Sequence, residues 1–113
     1  MKVMKVADIP GIVPPAHYDL ISHRILNTSG NIGNIVVAWV CMETPGRTDL
    51  HSHENTEHLF IVIKGELGIK ANEGEVYVKP GEAVVISPGE LHGNFNASKE
   101  ETEYIVVNYT LTR

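Results

Sequence analysis

Along nearly the whole chain, apolar and polar residues either alternate with a period of two or give way to short unbroken apolar blocks. The first pattern marks a strand with one buried face, the second a strand covered on both faces. Gly, Pro and Asn punctuate the blocks at short intervals, and no ten-residue window carries an apolar stripe of helical period. The pattern predicts a strand over Ser22 to Asn27, a turn at Thr28-Ser29-Gly30-Asn31, and a strand over Gly33 to Glu43. Strands over Thr48 to His53 and His58 to Lys64 follow, then a hairpin of Glu66 to Ala71 with Glu75 to Lys79 around Asn72-Glu73-Gly74. Pro80-Gly81 turns into Glu82 to Ser87, Pro88-Gly89 turns into Leu91 to Asn96, and Thr102 to Leu111 closes the sheet. Pro10, Pro14 and Pro15 keep residues 1–20 as an extended arm. Many short strands with Gly/Pro turns mean an all-β sandwich or barrel.

Two blocks are apolar on both faces, Ile35 to Met42 and Tyr104 to Val107. Two-sided burial in so short a chain predicts that a second subunit covers the outer face, giving a homodimer; the alternative cover is the N-terminal arm.

Length, composition and charge narrow the picture. A chain of 113 residues supplies one core and one domain, 1–113, read as the arm and a barrel over 21–113. Its formal charge of −5 and lack of any basic run argue against nucleic acid or an anionic membrane surface as partner. The longest apolar stretch, Ile35 to Met42, is too short to span a bilayer, and the N-terminus reaches Asp8 and Pro10 before a signal-peptide core could form. The one cysteine, Cys41, has no partner within the chain for a disulfide. A cytoplasmic setting is expected.

The chemistry concentrates in His51-Ser52-His53-Glu54-Asn55-Thr56-Glu57-His58, answered by His92 far downstream; these are four of the six histidines. Side chains at i and i+2 of a strand share a face, so His51 and His53 would point together. A third imidazole from His58 and a fourth from His92 make a donor set suited to a borderline first-row ion. The expected metal ligands are therefore His51, His53, His58 and His92. Strand phase favours His58 over Glu57 as the fourth ligand. Phe60, Val62 and Lys64 share the phase of His58, whereas Glu57 belongs with Leu59, Ile61 and Ile63, an aliphatic stripe suited to another layer.

Gly46, His51, His53, Glu57-His58 and Gly65, followed by Gly81, Ser87-Pro88-Gly89, His92 and Asn96, resemble the two sequence motifs of the cupin superfamily. The resemblance implies a double-stranded β-helix, the jelly-roll barrel, with a metal inside. The chain departs from the pattern at three places. Four residues instead of five separate Gly46 from His51, Ser87 stands where the second motif has proline, and His58 stands at the position of the usual glutamate ligand. The chain thus resembles small single-domain cupins with a four-histidine site, a likeness that also implies a dimer. One divalent transition metal per subunit is expected, among Mn, Fe, Zn, Ni and Cu. Four imidazoles leave two open positions for water, an oxygen-rich substrate or O2.

Outside the motifs, Trp39 reads as core or interface and Cys41 as a small buried hydrophobe. His17 and His23 read as surface residues. Arg24 reads as solvated, or as an orienting group for an anionic substrate if it points inward. Phe60 and Val62 would line the barrel beside the metal, Asn96 would support its mouth, and Glu90 would face water. Catalytic residues are not identifiable beyond Glu57 and the ligands. Two functions follow from the resemblance. One is a metalloenzyme (a dioxygenase, isomerase or lyase) acting on a small carboxylate, enol or sugar-like substrate, with or without O2. The other is a metal-dependent module that binds or senses a small ligand without turnover.

Overall fold

In a computed structural model, which describes residues 1–28, 34–72 and 74–110, the chain is all-β apart from one short 3-10 turn at Val6–Asp8. The strands are β1 (Gly11–Ile12), β2 (His17–Thr28), β3 (Asn34–Thr48), β4 (Thr56–Lys64), β5 (Leu67–Ala71), β6 (Gly74–Val78), β7 (Ala83–Ile86), β8 (His92–Asn96) and β9 (Thr102–Thr110). Ser29–Asn31 of the expected turn, Gly33, Glu73 and Leu111 lie outside the described residues.

All pairings are antiparallel, in the order β6-β5-β8-β3-β9-β4-β7, with β2 on the other side of β3 and β1 on β2. The long β3 pairs with β2 and β9 over its first part and reaches β8 at Arg47↔Phe95, so it passes from one sheet to the other. The result is the nearly closed double-sheet jelly roll.

Register decides which side chains meet. Ser22, Val40, Tyr104 and Val62 stand in one row across β2, β3, β9 and β4, and Arg24, Ala38, Val106, Phe60 and Val84 stand in the next. A third row holds Val36, Asn108, His58 and Ile86. These rows face inward: Ala38, Val40, Val62, Phe60, Ile86 and Tyr104 are buried. The alternate rows, His23-Trp39-Ile105-Ile61-Ala83 and Val37-Val107-Leu59-Val85, face outward. The blocks that read as apolar on both faces therefore have a buried inner face and an outer face that is only half covered, at Val37, Trp39, Ile105 and Val107. The arm does not lie flat over these outer rows. Gly11 and Ile12 extend the sheet at the edge of β2, opposite His23 and Ser22, and β2 itself begins at His17.

Met42, Leu67, Val62 and Thr102 fill one end of the barrel, all at most 1% exposed. Asn96 locks that end. Its amide N–H groups donate to Met42 O (3.1 Å) and Glu100 O (2.8 Å), and its Oδ1 accepts from Thr102 Oγ1 (2.8 Å) and Ser98 N (2.8 Å). It supports the barrel, but at the opposite end of β8 from His92.

Gly65 sits against the same end with φ +78°, and a Cβ there would fall 2.8 Å from Thr102 Cα and 2.9 Å from Glu101 O, both backbone atoms that cannot swing aside. Gly65→Ala is expected to cost about 3 kcal/mol, lowering Tm by on the order of 10 °C. Gly81 has a similar φ of +85°, but an added methyl there would meet nothing within 4 Å, so Gly81→Ala should cost only about 1 kcal/mol. Equal losses in the two variants by thermal denaturation would refute the packing argument.

Candidate metal centre and cavity

The end of the barrel opposite Met42 opens into a cavity of about 480 Å³, a size suited to a small molecule. His51, His53, His58 and His92 all line it. Backbone pairing brings the two halves of the sequence together. His51 N–H donates to His92 O (2.8 Å) and His92 N–H to His51 O (2.9 Å), an isolated antiparallel bridge that sets their rings side by side, centroids 4.4 Å apart. His53 is not on a strand. It lies in the loop before β4, held by Gly89 N–H donating to its carbonyl at 2.7 Å. The expected strand over Thr48 to His53 thus ends at Thr48, and the shared side of His51 and His53 comes from the loop path. His58 projects inward from β4, with ring centroids 5.2 Å from His53 and 5.1 Å from His92.

The outer nitrogens of three rings are fixed by oxygen acceptors. His51 Nδ1 meets Asp49 O at 2.7 Å, His92 Nδ1 meets Glu90 O at 2.9 Å, and His58 Nδ1 meets Asn108 Oδ1. A carbonyl oxygen only accepts, so Nδ1 carries the proton in each ring, and in the neutral ring Nε2 keeps its lone pair. His58 Nε2 is buried with no hydrogen-bond partner. Burial lowers the pKa of His58 to about 4 and also lowers those of His92 and His53, with the neighbouring imidazoles acting in the same direction. The three rings are neutral at neutral pH, the form that binds a metal ion.

These donors fit a divalent transition metal by chemistry: four imidazoles, three of them with Nδ1 held by an oxygen acceptor, and one orphaned buried lone pair. They do not form a closed coordination shell. Among the described residues, the group of three ligand atoms mutually within 4.8 Å is Cys41, Glu101 and Glu103, on the outer face. That group suits a metal poorly. Burial, then Glu101 and Glu103, push the Cys41 thiol up to about 11, so it stays protonated and donates to Glu103 Oε1 at 3.7 Å.

Glu57 is half buried and absent from the cavity wall; its register partner is Tyr109, while that of His58 is Asn108. Asn108, not Glu57, accepts the His58 proton. Other wall residues escaped the sequence reading. His17, expected at the surface, lines the cavity with its centroid 6.4 Å from that of His51 and its Nδ1 2.7 Å from Pro15 O. Pro14-Pro15-Ala16 carries it there, tied down by Asp49 N–H donating to Ala16 O (3.0 Å). Arg24 lines the rim from an exposed position. His23 does not reach the cavity wall and holds the arm instead, its Nδ1 2.8 Å from Ile9 O. Asn94 and Tyr104 face the interior from β8 and β9. Strand phase marks them, since Asn94 shares a face with His92, and Asn108 with Tyr104 and Val106. A polar residue on an inward phase is the signal.

Residues 38–108 match the cupin domain family, so the chain belongs to the cupin superfamily. Among solved structures it is similar to the polyketide cyclase RemF from Streptomyces resistomycificus, at 22% identity with TM-score 0.80, covering 100% of this chain and 87% of that one. It is also similar to a predicted oxalate decarboxylase from Thermotoga maritima (19% identity, TM-score 0.82, 97% and 100% covered). A sugar phosphate isomerase from Silicibacter pomeroyi is a third (18% identity, TM-score 0.78, 97% and 76% covered). A comparison with curated proteins found no match. At these identities the likeness carries the fold alone. No described helix is long and apolar enough to cross a membrane.

Proposed function

We propose that the protein is a metalloenzyme that holds one divalent transition metal per subunit on His51, His53, His58 and His92 and acts on a small, oxygen-rich substrate. The observation that carries this reading is the orphaned, buried Nε2 of His58 in a cluster with three further imidazoles, whose ring centroids lie 5.1 to 6.4 Å from its own. A bound ion would supply Lewis-acid or redox chemistry toward a carboxylate, enol or sugar-like oxygen. The chain itself does the rest. Asp49 O, Glu90 O and Asn108 Oδ1 hold three rings in one tautomer and orientation. Phe60, Val106 and Ala38 keep water from the inner wall and strengthen electrostatic contacts there. Among the described residues His17 is a fifth histidine on the wall, with its Nδ1 engaged by Pro15 O and its Nε2 left for a ligand. The three similar structures, all described as enzymes, support turnover as the first reading.

One observation favours the second reading, metal-dependent binding or sensing without turnover: among the described residues no carboxylate lines the cavity. Loading purified protein with Mn, Fe, Zn, Cu and Ni in turn, with elemental analysis after desalting, tests the site. One ion per chain is expected, and retention of none refutes the reading. A substrate screen with O2 consumption monitored then separates enzyme from binding module.

The outer rows of Val37, Trp39, Ile105, Val107, Ile61 and Leu59 form a continuous apolar face, which a second copy of this chain would cover. Sedimentation should give twice the 12.4 kDa chain mass at micromolar concentration. A 12.4 kDa species refutes the dimer. A cytoplasmic setting fits both readings.

A further inference from the structure

The wall of the cavity has a chemical bias that the metal reading does not use. The chain as a whole is acidic, with a net charge of −5, yet the cavity wall holds one permanent cation, Arg24, and no Asp or Glu among the described residues. Arg24 forms no ion pair with a described residue; the described pair is Arg47 with Asp49, elsewhere. An arginine with no ion-pair partner among the described residues, on a wall whose described residues include no carboxylate, offers a planar fork of donors matched to an anion.

Deeper in, Asn94 is 5% exposed and its Oδ1 is buried with no hydrogen-bond partner. Its backbone N–H donates to Thr48 Oγ1 at 2.9 Å, and its side-chain N–H faces the buried Tyr104 hydroxyl, opposing the upward push that burial gives that phenol. What remains is a buried acceptor without a donor, on a residue of the cavity wall. A buried acceptor without a donor is costly, so it marks the place where a ligand donor belongs. Asn94 is two residues from His92 on the same face of β8, and Arg24 shares a row with Phe60, next to His58 along β4. The acceptor, the imidazoles and the guanidinium thus surround one space from three sides.

We propose that the cavity selects a small organic anion that also carries a hydroxyl, Asn94 Oδ1 accepting the hydroxyl proton and Arg24 holding the anionic group. This names the substrate class within the function proposed above and rests on the reading of the cavity as its ligand site. Asn94 and Arg24 are specificity-determining residues, each reading a different group of the ligand.

The test uses three probes, 3-hydroxybutyrate, butyrate and methyl 3-hydroxybutyrate, titrated at millimolar concentration by ligand-observed NMR against metal-free and metal-loaded protein. In both forms the hydroxy acid should bind about tenfold tighter than butyrate, the analogue lacking the hydroxyl. It should also bind about tenfold tighter than its uncharged ester. Asn94→Leu should abolish the hydroxyl preference and keep the charge preference. Arg24→Gln, at an exposed position that does not threaten folding, should do the reverse. Equal binding of all three probes, binding of none, or a hydroxyl preference that survives Asn94→Leu overturns the proposal. Failure of the metal site alone is distinguishable, because the same selectivity would then appear in the metal-free protein while no ion is retained.

Discussion

His58→Ala is expected to lose stoichiometric metal, with affinity falling more than about 100-fold, while Glu57→Gln stays near the native value. Neighbouring residues on a regular strand face opposite ways, so one ion takes only one of the two. In β4 the inward phase is His58, Phe60 and Val62, each at most 6% exposed, and Glu57 falls on the outer phase with Leu59 and Ile61. Asn108 strengthens the contrast, because it accepts the His58 Nδ1 proton and so leaves the Nε2 lone pair unprotonated and free. Asn108→Leu would leave all four rings in place but remove that constraint, and an intermediate loss of about 10–100-fold is expected. Calorimetric titration of the three variants with one divalent metal orders them. Near-native affinity in His58→Ala, with loss in Glu57→Gln, would reverse the assignment.

The same strand explains what is legible in the sequence and what is not. The period of two in residues 57–64 survives folding because β4 is regular and half buried, so its inward set was legible from alternation alone. The turns at Pro80-Gly81 and Pro88-Gly89 were legible because Gly81 and Gly89 take positive φ, which few other residues tolerate. His51 and His53 converge for a different reason from the one their spacing suggests. A loop path and a backbone bridge to His92 place them, since the strand ends at Thr48 and its period of two does not extend to either residue. His17 was illegible because its role depends on where two prolines turn the chain over the barrel, a tertiary outcome without a local signature. Asn94 and Asn108 carried a usable mark, a polar side chain on an apolar inward phase, but neither fits a motif. The two-faced apolar blocks were read correctly as to their inner rows; the outer rows remain half covered, and the arm adds to the β2 edge instead.

Acidification is expected to destabilise the metal-free protein by about 3 kcal/mol between pH 6.5 and pH 4, over and above general carboxylate effects. His58 is the source. In the unfolded chain its imidazole titrates near the ordinary value of 6.5, whereas burial lowers it to about 4 in the native barrel. Between those values the unfolded state binds a proton that the native state refuses, so stability rises with pH across the window and this contribution levels off only well above 6.5 and well below about 4. The groups facing the ring are His51, His53 and His92 across the cavity, Asn108 on β9 and Phe60 on its own strand. No carboxylate of the described cavity wall is there to stabilise an imidazolium. His92 and His53, lowered by burial as well, act in the same direction. Chelator-treated protein unfolded by denaturant at about pH 7.5, 6.5, 5.5 and 4.5 gives the slope. His58→Gln, which keeps a donor for Asn108, should remove most of it. A slope unchanged in His58→Gln would mean that the acid sensitivity arises outside the cavity and that His58 is not held neutral by burial.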